Sequence, residues 1–225
     1  MMYKILVVED EDILREVIVD YLIADGYQVL EAADGEKAIE QFHSNPVDLV
    51  ILDIVLPKLD GWSVCRRIRK SSGIPIIILT ARSDEDDSLL GYELGADDYL
   101  IKPYSPRVLM AKVKRFLEKH ADTIERTPLS SDGIVINMES RLVYADGITI
   151  NLTHTEFEIL AYLMQNKGIV ITREQLITKV WGYDFYGDEK TVNSHIRNLR
   201  AKLGSKGNCI VTVIRSGYKF QEEPL

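Results

Sequence analysis

Leu49-Val50-Ile51-Leu52-Asp53-Ile54-Val55-Leu56-Pro57 is the stretch whose reading decides the fold. Four consecutive aliphatic residues run into a single carboxylate, and a proline follows four positions later. An aliphatic run without polar alternation predicts a strand buried on both faces, the usual condition in a parallel sheet. Open α/β sheets place their chemistry at the carboxyl ends of their strands, which is where Asp53 falls. Three further groups fall at equivalent positions: Glu9-Asp10 after residues 3–8, Thr80 after residues 75–79, and Lys102-Pro103 after residues 98–101.

Outward from that strand the pattern alternates. Strands are expected over residues 3–8, 27–31, 47–52, 75–79 and 98–101, and helices over 13–22, 35–43, 61–70, 85–94 and 106–119. Five strands alternating with five helices through short connections imply a doubly wound parallel sheet with right-handed crossovers. In the order 2-1-3-4-5 the first and third strands are neighbours, so Asp10 and Asp53 face one crevice. Two carboxylates that close repel unless a cation lies between them. Glu9-Asp10-Glu11-Asp12 alone reads as a solvated turn; at a strand end it can instead hold a hard cation such as Mg²⁺, which takes oxygen ligands. Asp12 is expected to cap the following helix, with Ile13, Leu14, Val17, Ile18, Tyr21 and Leu22 on one face.

The 225 residues suffice for two domains, and 46% hydrophobic with 28% charged residues is the balance of a globular protein. Apolar runs of about six residues fall far short of the roughly 20 that span a bilayer. Residues 1–8 run straight into a strand pattern rather than a signal-peptide layout. Cys65 and Cys209 lack metal-ligand spacing. A cytoplasmic location without membrane contact is therefore expected. The net charge of −8 is uneven. Residues 1–120 carry 15 Lys/Arg against 22 Asp/Glu, whereas residues 190–221 hold no acid and include Lys190, Arg197, Arg200, Lys202, Lys206, Arg215 and Lys219. A cationic face on an acidic protein suggests a polyanion met at one surface.

Glu9-Asp10, Asp53 with Pro57, Thr80-Ala81, Tyr99 and Lys102-Pro103, at these strand ends, resemble a response-regulator receiver domain over residues 1–120. The resemblance implies that Asp53 accepts a phosphoryl group from a phosphohistidine on a partner sensor histidine kinase. It also implies Mg²⁺ held by Asp10, Asp53 and the carbonyl of Val55, with Glu9 assisting through water. The residues agree with that chemistry: phosphoryl transfer needs positive charge near the phosphoryl oxygens, which Lys102 and the metal supply, with Thr80 as a hydrogen-bond donor. Thr80 and Tyr99 are the expected switch. In the family two receivers pair through the surface formed by residues 85–94, 98–101 and 106–119. On it Asp97, Asp98, Arg107, Lys112 and Arg115 are expected to form cross-subunit ion pairs. Ser88 and Val108 stand where members often carry a pairing Arg and Glu, so this dimer lacks one exposed pair worth about 0–1 kcal/mol.

Polar residues around Pro128 predict a linker over 121–131 and a second domain over 132–225. Short alternating runs over 134–152 indicate a small antiparallel sheet. Thr153-His154-Thr155-Glu156 and Thr172-Arg173-Glu174-Gln175 are capping boxes that open helices. Over residues 191–203, Val192, Ile196, Leu199 and Leu203 form a core stripe, with Asn193, Arg197 and Arg200 on another face and Asn198 beside them. Such a helix in a major groove uses Arg against guanine or phosphate and Asn against adenine. A hairpin follows, with Arg215 at its tip and Lys219 in its second strand. His195 is open between phosphate contact and packing.

Together Leu152-Thr153, Glu156-Phe157, Val180-Trp181-Gly182, Thr191-Val192, His195-Ile196-Arg197, Leu199-Arg200, Lys202-Leu203 and Gly217-Tyr218 resemble the winged-helix effector of the OmpR/PhoB subfamily. Asn198 stands where a second Arg is common, and Ile214 occupies a frequently basic wing position. The resemblance implies binding to double-stranded promoter DNA, homodimerisation on phosphorylation, and contact with RNA polymerase through residues 181–190. It implies a transcription regulator rather than an enzyme. Two alternatives stand beside it. One is an aspartate-nucleophile phosphohydrolase, which usually needs a second carboxylate where Val55 stands. The other is a phosphorylation-independent DNA-binding regulator with an inactive receiver.

Overall fold

The computed structural model describes residues 2–81, 92, 94–118, 128–182, 185 and 189–222. Most of the helix expected over 85–94, including Ser88, most of the 121–131 linker and half of segment 181–190 lie outside the described residues. The chain divides into two compact units, residues 1–122 and 123–225.

In the first unit, five strands form one parallel sheet: β1 (Lys4–Val8), β2 (Gln28–Ala32), β3 (Leu49–Asp53), β4 (Ile76–Thr80) and β5 (Asp98–Ile101). Their order is β2-β1-β3-β4-β5. The central run is buried on both faces, as its composition requires. Ile5, Val7, Leu49, Ile51, Ile77 and Leu79 face one way, against Ile18 and Leu22 of α1 (Asp12–Ala24) and Leu109, Val113 and Phe116 of α4 (Pro106–Glu118). Leu6, Val8, Val50, Leu52, Ile76 and Ile78 face the other way, against Ala38 of α2 (Gly35–Ser44) and Val64, Cys65 and Ile68 of α3 (Gly61–Arg69). Each strand thus splits its aliphatic residues between two cores by its two-residue period.

Two expectations about α1 need correction. Its N-cap is Glu11, with no side-chain capping bond, and Asp12 is already helical, where its carboxylate pairs with Arg15 one turn on. Of the six apolar residues expected on its inner face, only Ile18 and Leu22 are fully buried; Ile13 is 73% exposed, and Val17 and Tyr21 also face solvent. Those six residues span about half the helix circumference. That is wider than the roughly 100° stripe that packing on one sheet face takes up.

Close approach positions α3. A Cβ on Gly61 would lie 2.1 Å from the carbonyl oxygen of Asp53, so only glycine lets this helix start directly beneath the end of β3. Asp60 caps it by accepting from the backbone N–H of Ser63 at 2.9 Å.

In the second unit, β6 (Leu129–Ser131), β7 (Ile134–Asn137), β8 (Leu142–Ala145) and β9 (Ile148–Ile150) form an antiparallel sheet. Strand β6 occupies residues 129–131, the end of the segment read as linker. Three helices follow: α5 (His154–Gln165), α6 (Arg173–Val180) and α7 (Glu189–Leu203). Both capping boxes form, Thr153 with Glu156 and Thr172 with Gln175. The unit ends in the hairpin β10 (Ile210–Val213) and β11 (Gly217–Phe220), tied back to Ile171, the residue before the α6 N-cap Thr172, by paired backbone bonds between Ile171 and Tyr218. Among the described residues no helix is long and apolar enough to cross a membrane.

Candidate functional site

The parallel sheet brings Glu9, Asp53 and Lys102 to one crevice from three strand ends. The Lys102 ammonium donates to Asp53 Oδ2 at 2.5 Å and to Glu9 Oε2 at 2.7 Å. The Lys102–Pro103 peptide bond is cis. Glu9 and Asp53 are buried, Asp10 is exposed at the rim, and Asp53 Oδ1 accepts from the backbone N–H of Val55 at 3.0 Å. Thr80, the last residue of β4, is buried beside the pocket-forming strand, since β3 and β4 pair up to Asp53 opposite Leu79. Tyr99 in β5 is half-buried, edge-on to Tyr92 with ring centroids 4.8 Å apart and 6.3 Å from Trp62.

The electrostatics follow from crowding acids in a partly dry crevice. Burial, the largest effect, pushes the Glu9 carboxyl up to about 7; the Asp53 charge adds to this, while Lys102 opposes it. Burial by itself disfavours the Lys102 ammonium, but its hydrogen bonds to Asp53 and Glu9 outweigh that and hold its pKa above the ordinary lysine value. Ligand oxygens of Glu9, Asp10 and Asp53 all lie within 4.8 Å of one another. Two oxygens bound to one Mg²⁺ at about 2.1 Å sit at most about 4.2 Å apart, so this all-oxygen set fits a small hard cation after a slight contraction.

Sequence reasoning missed two residues here. Arg15 donates to the carbonyl of Glu9 at 2.7 Å and pairs with Asp12 and Glu31, which fixes the acidic turn; its i,i+3 spacing from Asp12 was the available signal. Tyr104 lines, with Leu14, Val17, Ile18, Pro103 and Pro106, a cavity of about 360 Å³ that opens beside Lys102. Its hydroxyl is held well above the usual tyrosine range, first by burial and then by the charges of Glu9 and Asp53.

The expected dimer contacts are mostly not on the surface. Asp97 is fully buried, pairs with Arg69 at 2.6 Å and accepts from the N–H of Ile76 at 2.9 Å. Asp98 is likewise buried and pairs with Lys112 at 2.8 Å and Arg115 at 2.5 Å. These pairs are made within one chain, and Asp97, Asp98 and Lys112 are buried there rather than presented on the surface. The inner face of α4 carries Lys112 towards the sheet, where its ammonium pairs with Asp98. Arg107 and Val108 are exposed, and Arg115 is partly so.

In the second unit α7 buries Val192, Ile196, Leu199 and Leu203 and exposes Asn193 and Arg197, with Asn198 half-buried. His195 is fully buried and packs on Trp181, ring centroids 5.4 Å apart, which decides for packing. Arg200 is turned inward: Nε and Nη2 bond the carbonyl of Ile210 at 3.0 and 2.5 Å, and Nη2 the hydroxyl of Thr212 at 2.9 Å. Lys202 pairs with the buried Glu156 at 2.6 Å. Arg215 takes φ = 62° at the exposed hairpin tip beside Ile214, which is 83% exposed, and Lys219 is half-buried in β11.

Comparison with known proteins places both units. Residues 5–114 match the response regulator receiver domain, and residues 147–220 match the C-terminal domain of transcriptional regulatory proteins. The chain is 41% identical to the transcriptional regulatory protein YclJ of Bacillus subtilis over 226 residues, covering 98% of this chain and all of that one. It is 39% identical, with the same coverage, to the sensory transduction protein RegX3 of Mycobacterium tuberculosis. Among solved structures, the response regulator DrrB of Thermotoga maritima, an OmpR/PhoB homologue, matches with 32% identity and a TM-score of 0.53, covering 98% of this chain and all of that one. A mutant of RitR matches with 28% identity and a TM-score of 0.80, at the same coverage.

Proposed function

Because the chain belongs to the two-component response regulators that join a receiver to a DNA-binding transcriptional regulatory domain, we propose that Asp53 accepts a phosphoryl group from a phosphohistidine of a sensor histidine kinase. Phosphorylation then pairs two receivers, and the paired effector domains bind promoter DNA and regulate transcription. The observation that carries this reading is the Asp53 carboxylate at the end of β3, salt-bridged to Lys102 at 2.5 Å beside Glu9 and Asp10.

A carboxylate oxygen of Asp53 attacks phosphorus, the P–N bond to the donor imidazole breaks, and the imidazole leaves with the electron pair and takes up a proton. An acyl phosphate remains. Glu9, Asp10, Asp53 and the Val55 carbonyl are the groups we assign to Mg²⁺, which receiver domains bind at an acidic site. When bound, the metal supplies positive charge to the phosphoryl oxygens. Lys102 already touches the nucleophile and supplies a second positive charge. The N–H of Val55 orients Asp53, and the Thr80 hydroxyl donates to the new phosphoryl group.

Thr80 moving towards the phosphoryl group leaves room for Tyr99 to turn inward, which reshapes the surface of β5 and α4. Carrying a two-state receiver from about 1:99 to 99:1 needs roughly 5.5 kcal/mol, to which phosphate, metal and pairing contribute jointly. With Asp97, Asp98 and Lys112 engaged inside the chain, the pairing surface we propose contains Arg107, Val108 and the partly exposed Arg115. The kinase docks beside the crevice, where exposed Ile13 and Val17 and the cavity next to Lys102 offer an apolar rim. The site of action is the cytoplasm, and residues 181–190 meet RNA polymerase.

The test is intact-protein mass after incubation with acetyl phosphate and Mg²⁺, followed by sedimentation and DNA binding, for wild type and Asp53→Ala. Wild type is expected to gain one phosphoryl group, to self-associate and to bind DNA more tightly; the variant does none of these. Addition to another residue, or unchanged self-association of the phosphorylated protein, overturns the proposal.

A further inference from the structure

The side chain of Asn193 is oriented without ambiguity by its neighbours. Its Oδ1 accepts from the Tyr218 hydroxyl at 2.6 Å and from Arg173 Nε at 3.0 Å. A guanidinium nitrogen only donates, so a flipped amide would set N–H against N–H at that distance. The two donors are themselves fixed. Tyr218 is buried in β11, bonded through its backbone to Ile171, and its ring lies under the guanidinium carbons of Arg173 at 5.0 Å and Arg200 at 5.7 Å. Arg200 in turn holds the hairpin carbonyl of Ile210. One residue from each of α6, α7 and β11 therefore meets at a single amide oxygen, and both of its lone pairs are used.

This has a consequence for sequence reading. The bidentate contact between Asn and adenine requires Oδ1 to accept from adenine N6 while Nδ2 donates to N7. Asn193 has no acceptor left for N6; its Nδ2 makes no hydrogen bond among the described residues, and the residue is exposed on the same face as Arg197. We propose that Asn193 contacts DNA as a donor only, pairing its amide N–H with an acceptor (a purine N7, guanine O6, thymine O4, or a phosphate oxygen), and that Arg173 and Tyr218 are the positioning residues that impose this. The inference rests on the reading that residues 189–203 enter a DNA groove, and it replaces the expectation of a bidentate adenine contact for this position.

The experiment is selection from a random double-stranded DNA library by the full-length phosphorylated chain, comparing wild type, N193A and N193D. Aspartate keeps an acceptor oxygen for Tyr218 and Arg173, so N193D preserves the lock while removing the donor, and it guards against a folding defect in N193A. Both variants are expected to lose about tenfold in affinity. Relaxation at one position that wild type fills with guanine, with thymine, or with an adenine whose N6 amino group is dispensable identifies a base acceptor; an equal loss on all sequences identifies a phosphate. The proposal is overturned if the relaxed position is adenine and wild-type binding falls when that adenine is replaced by purine lacking the N6 amino group. It is also overturned if either variant keeps wild-type affinity and preference. Failure of wild type to enrich any sequence refutes instead the DNA reading on which the proposal rests.

Discussion

We predict that Asp98→Ala destabilises the receiver in the monomer, before any pairing. Asp98 is 1% exposed and its carboxylate faces Lys112, whose side chain is 7% exposed, and Arg115, at 18%. Removing the acid leaves the Lys112 ammonium buried against the sheet without its partner, whereas Arg115 has some access to water. Breaking a buried pair from one side costs about 3–5 kcal/mol. For a folding unit of about 120 residues each kcal/mol moves Tm by about 3–5 °C, so the receiver transition should fall by roughly 10–20 °C. The assay is calorimetry of the unphosphorylated full-length chain at several concentrations, with the effector transition as internal reference. Pairing Asp98→Asn with Lys112→Met, which removes both charges at similar volume, should recover more than half of the loss. A shift below about 2 °C in Asp98→Ala, accompanied by weaker self-association, would mean that the carboxylate works across the dimer, and the intrachain argument would be wrong.

Three further outcomes follow from the geometry. Glu9 has a folded pKa of about 7 against an ordinary 4.5, so the folded receiver binds more protons than the unfolded chain between those values. The Glu9 contribution to stability is thus greatest below pH 4.5 and is lost as pH rises through 7. In metal-free buffer, urea unfolding should show wild type losing stability relative to Glu9→Gln over that window, and a constant difference would contradict it. Gly61→Ala, normally stabilising in a helix by about 0.5–1 kcal/mol, should destabilise here because the new Cβ meets the Asp53 carbonyl; a raised Tm would refute the close approach. Finally, burial pushes the Cys65 thiol up to about 11, and Cys209 is buried with its thiol 2.9 Å from Asp132. Neither should be alkylated by iodoacetamide at pH 8 until denaturant is added, as read by peptide mass spectrometry.

The receiver sheet and its pocket were legible because both are consequences of period and position. Leu49 to Leu52 can be buried on both faces only in a parallel sheet with helices on each side, and that arrangement carries Glu9, Asp53, Thr80 and Lys102 to the same edge whatever else the chain does. Thr153 and Thr172 were legible for a similar reason, since a capping box is satisfied within four residues. Asp97, Asp98 and Lys112 were misjudged because charged residue types are usually exposed, and nothing local says that Arg69 or Arg115 will be there to meet them. Ile13 and Val17 fail in the opposite sense: an apolar residue is not obliged to be buried, and the width of the stripe in contact is set by the sheet beneath it. At Arg200 and Asn193 the residue types are those of a DNA-reading helix, but Ile210, Thr212 and Tyr218, 10–25 residues further on, already hold their polar atoms.

Pairing matters to the proposed function because the effector domain uses part of its positive charge internally. Of the basic residues that the helix α7 and its hairpin bring together, Arg200 is bound to the hairpin and Lys202 to Glu156. By their exposure, Arg197 on the helical face and Arg215 at the hairpin tip, with the half-buried Lys219, are the candidates we propose for phosphate contact. About three such contacts give a slope of log affinity against log salt near −3, the regime of weak and strongly salt-sensitive binding. Engaging a second effector domain on the same DNA can raise binding by about 10²–10⁴ without any new contact in either domain. On the proposed function, a domain that commits part of its charge to holding its own hairpin would depend on a partner copy for useful affinity. On this reading the acyl phosphate at Asp53 acts on DNA by controlling how many effector domains arrive together. A phosphorylated chain held monomeric by substitutions at Arg107 and Val108 should bind promoter DNA no better than the unphosphorylated one.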